Sequence, residues 1–484
     1  GYGKCGVAVI RVSGSRSAEA VKKIGGFNVL PEPRKTHLRR LRDPISKEIL
    51  DRGIIIWFPG PKSFTGEDCC EFQIHGGSAV ISAVLTSLAS IEHFRPAEPG
   101  EFTKRAFYAG KFNLTEIEGI ADLIHSETEF QRKQAIIQME GALGKLYDKW
   151  RGTLLGIVAH IEAYIDFGED QQLEDNIIVD IRERLKLLQE SIKNHLCDGR
   201  KGERLRDGVR TVILGAPNVG KSSLMNLLCR EEAAIVSSEP GTTRDIIKTI
   251  IDISGFPVIL MDTAGLREAS SDIIEKEGMS RAKNIAAEAD LIILVIDAHQ
   301  LSQWCNIRCV SIPDSFIHYI KEYIRTIGIE DLLIQPGTMN YNLNYCNDNM
   351  QSNSLKKYVI AINKSDLITI PEEFKVLTKS YNVTCLSCKT EEGMNNFINH
   401  MSRVLQILCG SPSRENPSYT QARHRQCLSQ CLYHLEKYFD LEESQVDLAA
   451  NELRSALDSI GRITGHVTTE QILDVIFKDF CIGK

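Results

Sequence analysis

Gly215-Ala-Pro-Asn-Val-Gly-Lys-Ser222 carries the most specific chemistry in this sequence. It follows the apolar run Val209–Leu214 and precedes the helical run Ser223–Cys229. Between a strand and a helix, G-x-x-x-x-G-K-S cradles phosphate: Gly215 and Gly220 let the backbone turn its N–H groups toward the anion, which also meets a helix N-terminus. Lys221 reaches the outer phosphates, and Ser222 offers its hydroxyl to magnesium. Asn218, Val219 and Ser223 belong to the same phosphate-binding stretch.

Downstream stand Gly241-Thr-Thr-Arg-Asp245, Asp262-Thr-Ala-Gly265, Asn363-Lys-Ser-Asp366 and Ser387-Cys-Lys389, in the order a GTPase needs. Thr243, ahead of a strand at Ile246, completes the magnesium shell beside Ser222. Asp262 ends the strand Val258–Met261 and holds the metal through water. Thr263 and Ala264 lead to Gly265, whose N–H serves the γ-phosphate. In the Asn363-Lys364-Ser-Asp366 motif the Asp366 carboxylate accepts from N1–H and the 2-amino group of guanine. Adenine lacks that donor pair and would leave a desolvated carboxylate unpaired. Ser387, Cys388 and Lys389 line the base side. The residue after Asp-Thr-Ala-Gly is Leu266, which cannot orient water as the glutamine of Ras-like GTPases does. Hydrolysis is therefore slow, or another group supplies the missing stabilisation.

These motifs need a sheet to hold them, and the sequence predicts a multidomain α/β protein. Residues 1–112 read as an α+β domain, with strands at Val7–Val12, Gly53–Phe58 and Cys69–His75 and a helix near Ala79–Ile91. Its glycine clusters are read as turns. Residues 113–207 and 409–484 carry helical periods, and 208–408 alternates strands and helices as a P-loop domain inserted into one discontinuous helical body. Thr115-x-x-Glu118 reads as a capping box. Trp150, Leu154, Ile157, Ile161, Tyr164 and Ile165 mark a second helix, and a third runs from Ile177 to Leu196. Leu428, Leu432 and Leu435, then Leu453, Ala456, Leu457 and Ile460, mark the later helices, and Thr468-x-x-Gln471 caps the last. Residues from about 300 to 356 exceed what a compact crossover needs and, with the Asn-rich Met339–Asn353, read as a mobile insertion. The seam Arg200–Gly208 can touch RNA, but a solvated linker is the better reading.

Composition sets limits. With 43% hydrophobic and 25% charged residues, a chain of 484 residues builds several ordinary globular cores. The net charge of −7 gives no global field for nucleic acid, so any RNA contact comes from local patches or a partner. No apolar run reaches the roughly 18 residues of a membrane span. The fourteen scattered cysteines fit reduced thiols, and Cys385-x-x-Cys388 lacks a second pair for zinc. The sequence opens at Gly1 without methionine, as expected where a targeting peptide is removed or lies outside this stretch.

Together GAPNVGKS, EPGTTRD, DTAGLRE, NKSD and the terminal FCIGK, with SFTGED, HGG and GEFTKRAF, closely resemble the MnmE (TrmE) tRNA-modification GTPases over nearly the whole chain. GEDCCEF and AYIDFGED look most like the mitochondrial branch. The resemblance implies an N-terminal tetrahydrofolate-binding domain through which the protein forms a homodimer, a discontinuous helical domain and an inserted G domain. It also implies GTP, Mg2+, K+ and 5,10-methylene- or 5-formyl-tetrahydrofolate as cofactors, with tRNA and an FAD-dependent MnmG (GidA)-like protein as partners. The product would be 5-carboxymethylaminomethyl- or 5-taurinomethyluridine, and the place the mitochondrial matrix, or a bacterial-type cytoplasm. By resemblance Asn218 matches a potassium ligand, completed by the loop Ser237, Ser238, Glu239, Pro240, Gly241 and Thr242. In that loop Ser237, Glu239 and Thr242 would also face the potassium ion, and Glu239-Pro240 departs from bacterial members. Glu275 matches a water-positioning acid, with a helix-surface glutamate as the alternative. Arg11, Glu71, Lys111 and Lys484 match folate contacts. Cys481 near Lys484 is an activated thiolate or a small buried residue docking the tail. A ribosome-assembly switch would leave the first domain and CIGK unexplained. The other rival is a folate transferase whose G domain only scaffolds.

Overall fold

The computed structural model describes residues 5–167, 176–231, 248–261, 283–308, 312–330, 357–368, 383–442 and 445–467, with 473, 476, 477 and 480. These divide into two compact units: residues 1–124, 138–188 and 427–484, and residues 125–137 and 189–426. No described helix is long and apolar enough to cross a membrane.

The first unit contains a four-stranded antiparallel sheet, β1 (Cys5–Ser13), β2 (His37–Arg42), β3 (Ile49–Phe58) and β4 (Cys69–Gly76), in the order β1-β4-β3-β2. Side chains alternate across the pleat. Ile10, Leu41, Ile55, Trp57, Phe72 and Ile74 therefore face one way, and the helices Ser17–Gly25 and Ser78–Ala89 bury Val21, Ile24, Val84 and Leu88 against them. A further helix, Glu101–Tyr108, begins at Gly100, whose φ is +73° and where a Cβ would lie 2.4 Å from the Phe477 carbonyl oxygen. Only glycine fits there.

A second core joins Leu114, Ile117 and Ile120 of the helix Leu114–His125 to Leu473, Ile476, Phe477 and Phe480 from far along the chain. The helix Ala142–Phe167 packs along Val446–Thr464, tied by Arg454 to Glu162 at 2.8 Å. Its apolar stripe is buried from Trp150 through Ile161, whereas Ile165 is exposed. The capping box lies two residues earlier than the sequence pattern suggested. Asn113 Oδ1 accepts from the Glu116 N–H at 2.9 Å, and the Asn113 N–H returns to Glu116 Oε2 at 2.9 Å, while Thr115 and Glu118 are buried within the helix.

The second unit contains a six-stranded sheet of β5 (Val209–Leu214), β6 (Lys248–Ile253), β7 (Phe256–Met261), β8 (Leu291–Asp297), β9 (Lys357–Asn363) and β10 (Val383–Cys385), in the order β10-β9-β8-β5-β7-β6. Every pair is parallel except β6 with β7. Parallel strands buried on both faces read as continuous apolar runs, and β8 is buried at every position. Residues 300–327, expected within a mobile insertion, are instead covered largely by the helices Ala298–Arg308 and Ile312–Ile327. Phe316, Ile320, Tyr323 and Ile324 recur on one face of the second helix and join the core containing β8. Met339–Asn353 and the Thr468-x-x-Gln471 cap lie outside the described residues.

Residues 125–137 and 189–207, assigned by sequence to the helical body, cluster with this sheet. Phe130 stacks on Phe256 with centroids 4.4 Å apart, its N–H donates to the Gly255 carbonyl at 3.2 Å, and Gln131 Nε2 donates to the Arg206 carbonyl at 2.8 Å. The seam is likewise no solvated linker: Lys201–Asp207 is a helix that buries Gly202, Glu203 and Leu205. The buried Glu203 carboxylate receives Arg200 at 2.6 Å and Arg425 at 2.9 Å.

Asn113→Ala removes the acceptor at the start of Leu114–His125 and is expected to cost about 1 kcal/mol. Glu116→Gln, which keeps an acceptor for the Asn113 N–H, should cost less. The check is the urea midpoint of the helical circular-dichroism signal. A second expectation concerns pH. Burial and the nearby His424 push the His195 imidazole down to about 4, below its ordinary 6.5. The unfolded chain then binds more protons between those values, so stability present above pH 6.5 is lost as pH falls toward 4. Melting His195→Phe beside the parent chain at pH 7 and pH 5 should show a smaller acid loss in the variant.

Candidate functional site

The loop 215–220 leaves β5 where that strand lies between β7 and β8. A Cβ at Gly215 would stand 2.5 Å from the Val295 carbonyl oxygen of β8. At Gly220, with φ +101°, it would stand 2.1 Å from Asn363 Nδ2. Both glycines are thus required by close approach. Asn218 also sits at positive φ, +58°, and is exposed at the rim. The helix Lys221–Glu231 begins immediately after the loop, and Leu224 N–H already bonds back to Gly220. Lys221 Nζ donates to the carbonyls of Gly215 at 2.9 Å and Ala216 at 2.8 Å. Its ammonium therefore stands within the loop that gathers the backbone N–H groups. Val219 is buried, Ser222 is half-buried and Ser223 is exposed.

The base end is joined to this loop by one side chain. Asn363, ending β9 and 2% exposed, donates from Nδ2 to the Val219 carbonyl at 2.8 Å and accepts at Oδ1 from the Cys388 N–H at 3.0 Å. Ser387 Oγ donates to Asp366 Oδ1 at 2.6 Å and accepts from the N–H groups of Lys389 and Thr390. One carboxylate oxygen is thereby oriented on an otherwise exposed Asp366. Lys364, held at φ +65°, reaches Asp297 at the end of β8 at 2.7 Å. Burial works to raise the Asp297 carboxyl, but the Lys364 bond and the His299 N–H outweigh it and hold it below the usual range.

The structure therefore brings together Asn218, Val219, Gly220, Lys221, Ser222, Asn363, Lys364, Asp366, Ser387, Cys388 and Lys389. Ser237, Ser238, Glu239, Pro240, Gly241, Thr242, Thr243, Asp262, Thr263, Ala264, Gly265, Glu275, Cys481 and Lys484 lie outside the described residues. Two participants escaped the sequence reading. Tyr323 Oη donates to the Val295 carbonyl at 2.7 Å and accepts from the Ala216 N–H at 2.7 Å, pinning the loop to β8. Its helical spacing from Phe316 and Ile320 was the available signal. Asp297, a carboxylate closing the apolar run Leu291–Ile296, was the other. Cys385 and Cys388 are pushed up to about 11 by burial, which disfavours the thiolate that metal or redox chemistry uses.

In the first unit a cavity of about 660 Å³ opens beside β1 and the helix Glu101–Tyr108. Leu85, Leu88, Phe94 and Phe102 give it apolar walls, and Arg11, Arg16, Arg95 and Arg105 bring cations to it. Burial would raise the Glu101 carboxyl, but bonds from Arg95 and Arg105 hold it down to about 2. Arg11 pairs with Glu71, its register partner on β4, at 2.8 Å and lies over the Phe64 ring at 4.9 Å. Of the sequence-predicted folate residues that are described, only Arg11 lines the cavity. Glu71 acts on it through Arg11, and Lys111 donates to the Pro61 carbonyl instead.

Residues 1–111 match a family model described as GTP-binding protein TrmE N-terminus, and residues 114–481 match one described as MnmE helical domain. The chain is 46% identical over its whole length to the 5-taurinomethyluridine-[tRNA] synthase subunit GTPB3, mitochondrial, of Danio rerio, 92% of which is covered. Its counterpart from Homo sapiens is 45% identical with the same coverage. The tRNA modification GTPase MnmE of Parvibaculum lavamentivorans is 42% identical, with 98% of it covered.

Tyr323→Phe keeps the ring but leaves the half-buried Ala216 N–H and the buried Val295 carbonyl without the hydroxyl. A lost buried partner costs about 1–3 kcal/mol. GTP affinity measured by calorimetry is expected to fall between about 5-fold and 150-fold, with the far-ultraviolet circular dichroism unchanged.

Proposed function

This chain belongs to the MnmE (TrmE) family, and we propose on that premise that it is a GTP-hydrolysing subunit for modification of the wobble uridine of tRNA. The finer reading is synthesis of 5-taurinomethyluridine in mitochondria, with 5-carboxymethylaminomethyluridine as the bacterial counterpart. A tetrahydrofolate one-carbon unit and an FAD-dependent MnmG (GidA)-like partner complete the reaction, and the protein works as a homodimer through its N-terminal domain. The observation that carries the GTPase reading is the joined base and phosphate end: Asn363 holds the Val219 carbonyl and the Cys388 N–H, while Ser387 aims Asp366.

In this reading Asp366 accepts the two guanine donors, and Lys221 shifts from loop carbonyls to the outer phosphates. The N–H groups at the start of Lys221–Glu231 face the same anion. Ser222, with Thr243 and Asp262, would hold Mg2+, which supplies charge neutralisation between the phosphates. Asn218, exposed at the loop rim, with Ser237, Glu239 and Thr242, would hold K+, which adds positive charge where negative charge develops. Glu275 orients the attacking water in place of the glutamine that Leu266 cannot supply. Arg11, at a cavity whose apolar walls are rimmed by Arg16, Arg95 and Arg105 together with Glu67, Asp68 and Glu101, fits the polar parts of a folate, and its bond to Glu71 fixes its orientation. Lys111 and Lys484 belong to the same proposed folate set, and Cys481 is proposed as a reactive thiol near the tail.

Calorimetry with GTP and ATP tests base selection. The parent chain is expected to prefer GTP by at least about 100-fold, and Asp366→Asn to lose that preference; equal affinity for both nucleotides would overturn the reading. Replacing potassium with sodium is expected to slow GTP turnover in the parent chain and to matter little in Asn218→Ala. Identical rates under all these conditions would reject the potassium role.

A further inference from the structure

We propose that the β2–β3 corner of the N-terminal domain is a docking surface for the phosphate backbone of tRNA. The proposal rests on the tRNA-modification reading and goes beyond it by naming the surface. Between residues 34 and 52 the sequence has seven Lys or Arg against three Asp or Glu, in a chain whose net charge is −7. Arg34, Arg39, Arg40, Lys47 and Arg52 are exposed and Arg42 is half-buried. Among the described residues none of these six is in an ion pair.

The neighbouring carboxylates are engaged elsewhere. Asp51 accepts from the His75 N–H and Nδ1, each at 2.8 Å, and from the Arg52 N–H at 2.7 Å. Asp43 accepts from Ser87 Oγ at 2.6 Å and from the N–H groups of Ser46 and Ile45. Glu48 is exposed and pairs with none of the six.

Several other arginines of this protein are matched. In the seam Arg200 meets Glu203, Arg204 meets Asp290 at 2.9 Å and Arg206 meets Asp207 at 2.8 Å. Arg11, Arg95 and Arg105 have Glu71, Glu101 and Glu67. The seam, the sequence's own RNA candidate, is thus neutralised within the fold, whereas the β2–β3 corner is not.

Geometry makes the corner suited to an external anion. Arg40 on β2 and Arg52 on β3 are direct register partners, on the face opposite Leu41 and Ile55. Like charges directly opposite each other destabilise a strand pair. Charged residues on an edge strand do block unwanted pairing, and β2 is an edge. That purpose asks nothing of Arg52, which lies on an inner strand. The surrounding arginines are held by neutral groups that leave donors open. Arg39 lies over the Phe27 ring at 4.5 Å, Arg42 Nη1 donates to the Lys47 carbonyl at 3.1 Å, and Arg34 Nη2 donates to the Lys62 carbonyl at 2.6 Å. Guanidiniums fixed in this way bind phosphate oxygens with little further ordering and position a nucleic acid without reading its sequence.

The test titrates tRNA into the full-length protein at several salt concentrations and compares the parent chain with R40Q/R52Q, R40K/R52K and R132Q. Each phosphate contact contributes about one to the slope of log affinity against log salt. R40Q/R52Q is expected to weaken binding about 10-fold at moderate salt and lower that slope by about two, with GTP turnover unchanged and a melting temperature at or above the parent's. R40K/R52K keeps the charge and should retain the slope, and R132Q, whose partner is Glu129, should change neither. Unchanged affinity and slope in R40Q/R52Q would overturn the proposal. So would a parent chain that retains no tRNA at low salt, or a double variant that loses only binding to anionic lipid vesicles. Failure of the underlying reading would show separately, as normal wobble-uridine modification in cells lacking the protein.

Discussion

One buried amide sets the dimensions of the nucleotide site. Asn363 has a donor end and an acceptor end, and the fold uses one for the Val219 carbonyl and the other for the Cys388 N–H. These partners belong to segments 169 residues apart in sequence (219 to 388). Because the group is buried, either bond left unmade carries a desolvation cost that water cannot relieve. The distance between phosphate loop and base loop is therefore fixed by the length of one side chain. Gly220 reflects the same constraint, since a Cβ there would occupy the space of the amide nitrogen. In the proposed site a guanine nucleotide would span that distance, so the base selection proposed for Asp366 and the phosphate binding proposed for Lys221 would rest on a common brace.

What the sequence revealed and what it concealed follow from the range of the interactions. The phosphate loop and the strands β5, β8 and β9 are local signals: a glycine pattern and unbroken apolar runs. The sequence reading places the helix start at Thr115 with Glu118 and passes over Asn113 with Glu116, which have the same spacing. Burial of Leu114 and Ile117 against Phe477 and Phe480 decides between them, and that core joins residues more than 350 apart. The seam Arg200–Gly208 looked like a linker since its charges find Asp290 and the Arg425-bearing segment only in the fold. Tyr323 was hidden for a related reason: in sequence its helix precedes an Asn-rich stretch, and the length of the whole connection masked the period of Phe316, Ile320 and Tyr323.

Charge in this protein is best understood by asking which cations have found carboxylates. Exposed pairs add little stability, about 0–1 kcal/mol each. Their larger effect is to cancel the field that a basic run would otherwise project. The helix Lys201–Asp207 is basic in sequence but cancelled in space, with the buried Glu203 shared by Arg200 and Arg425. The β2–β3 corner is less conspicuous as a sequence run, yet its guanidiniums rest on a ring and on carbonyls that leave their charge intact. A net negative chain can in this way present a positive face.

Strand β8 connects these themes, because both its ends and its middle are committed. Asp290, just before it, binds Arg204 and the Arg210 N–H. Val295 receives Tyr323, which in turn holds the Ala216 N–H, and Asp297 receives Lys364. All seven residues of the strand are buried, and close-packed interiors transmit displacement instead of absorbing it. A shift of the phosphate loop must therefore break the Tyr323 bridge or move β8. Moving β8 would strain Arg204, whose helix is held through Glu203 to Arg425. Within this unit the segments at Arg204 and Arg425 are thus tied to β8 through Asp290 and Glu203.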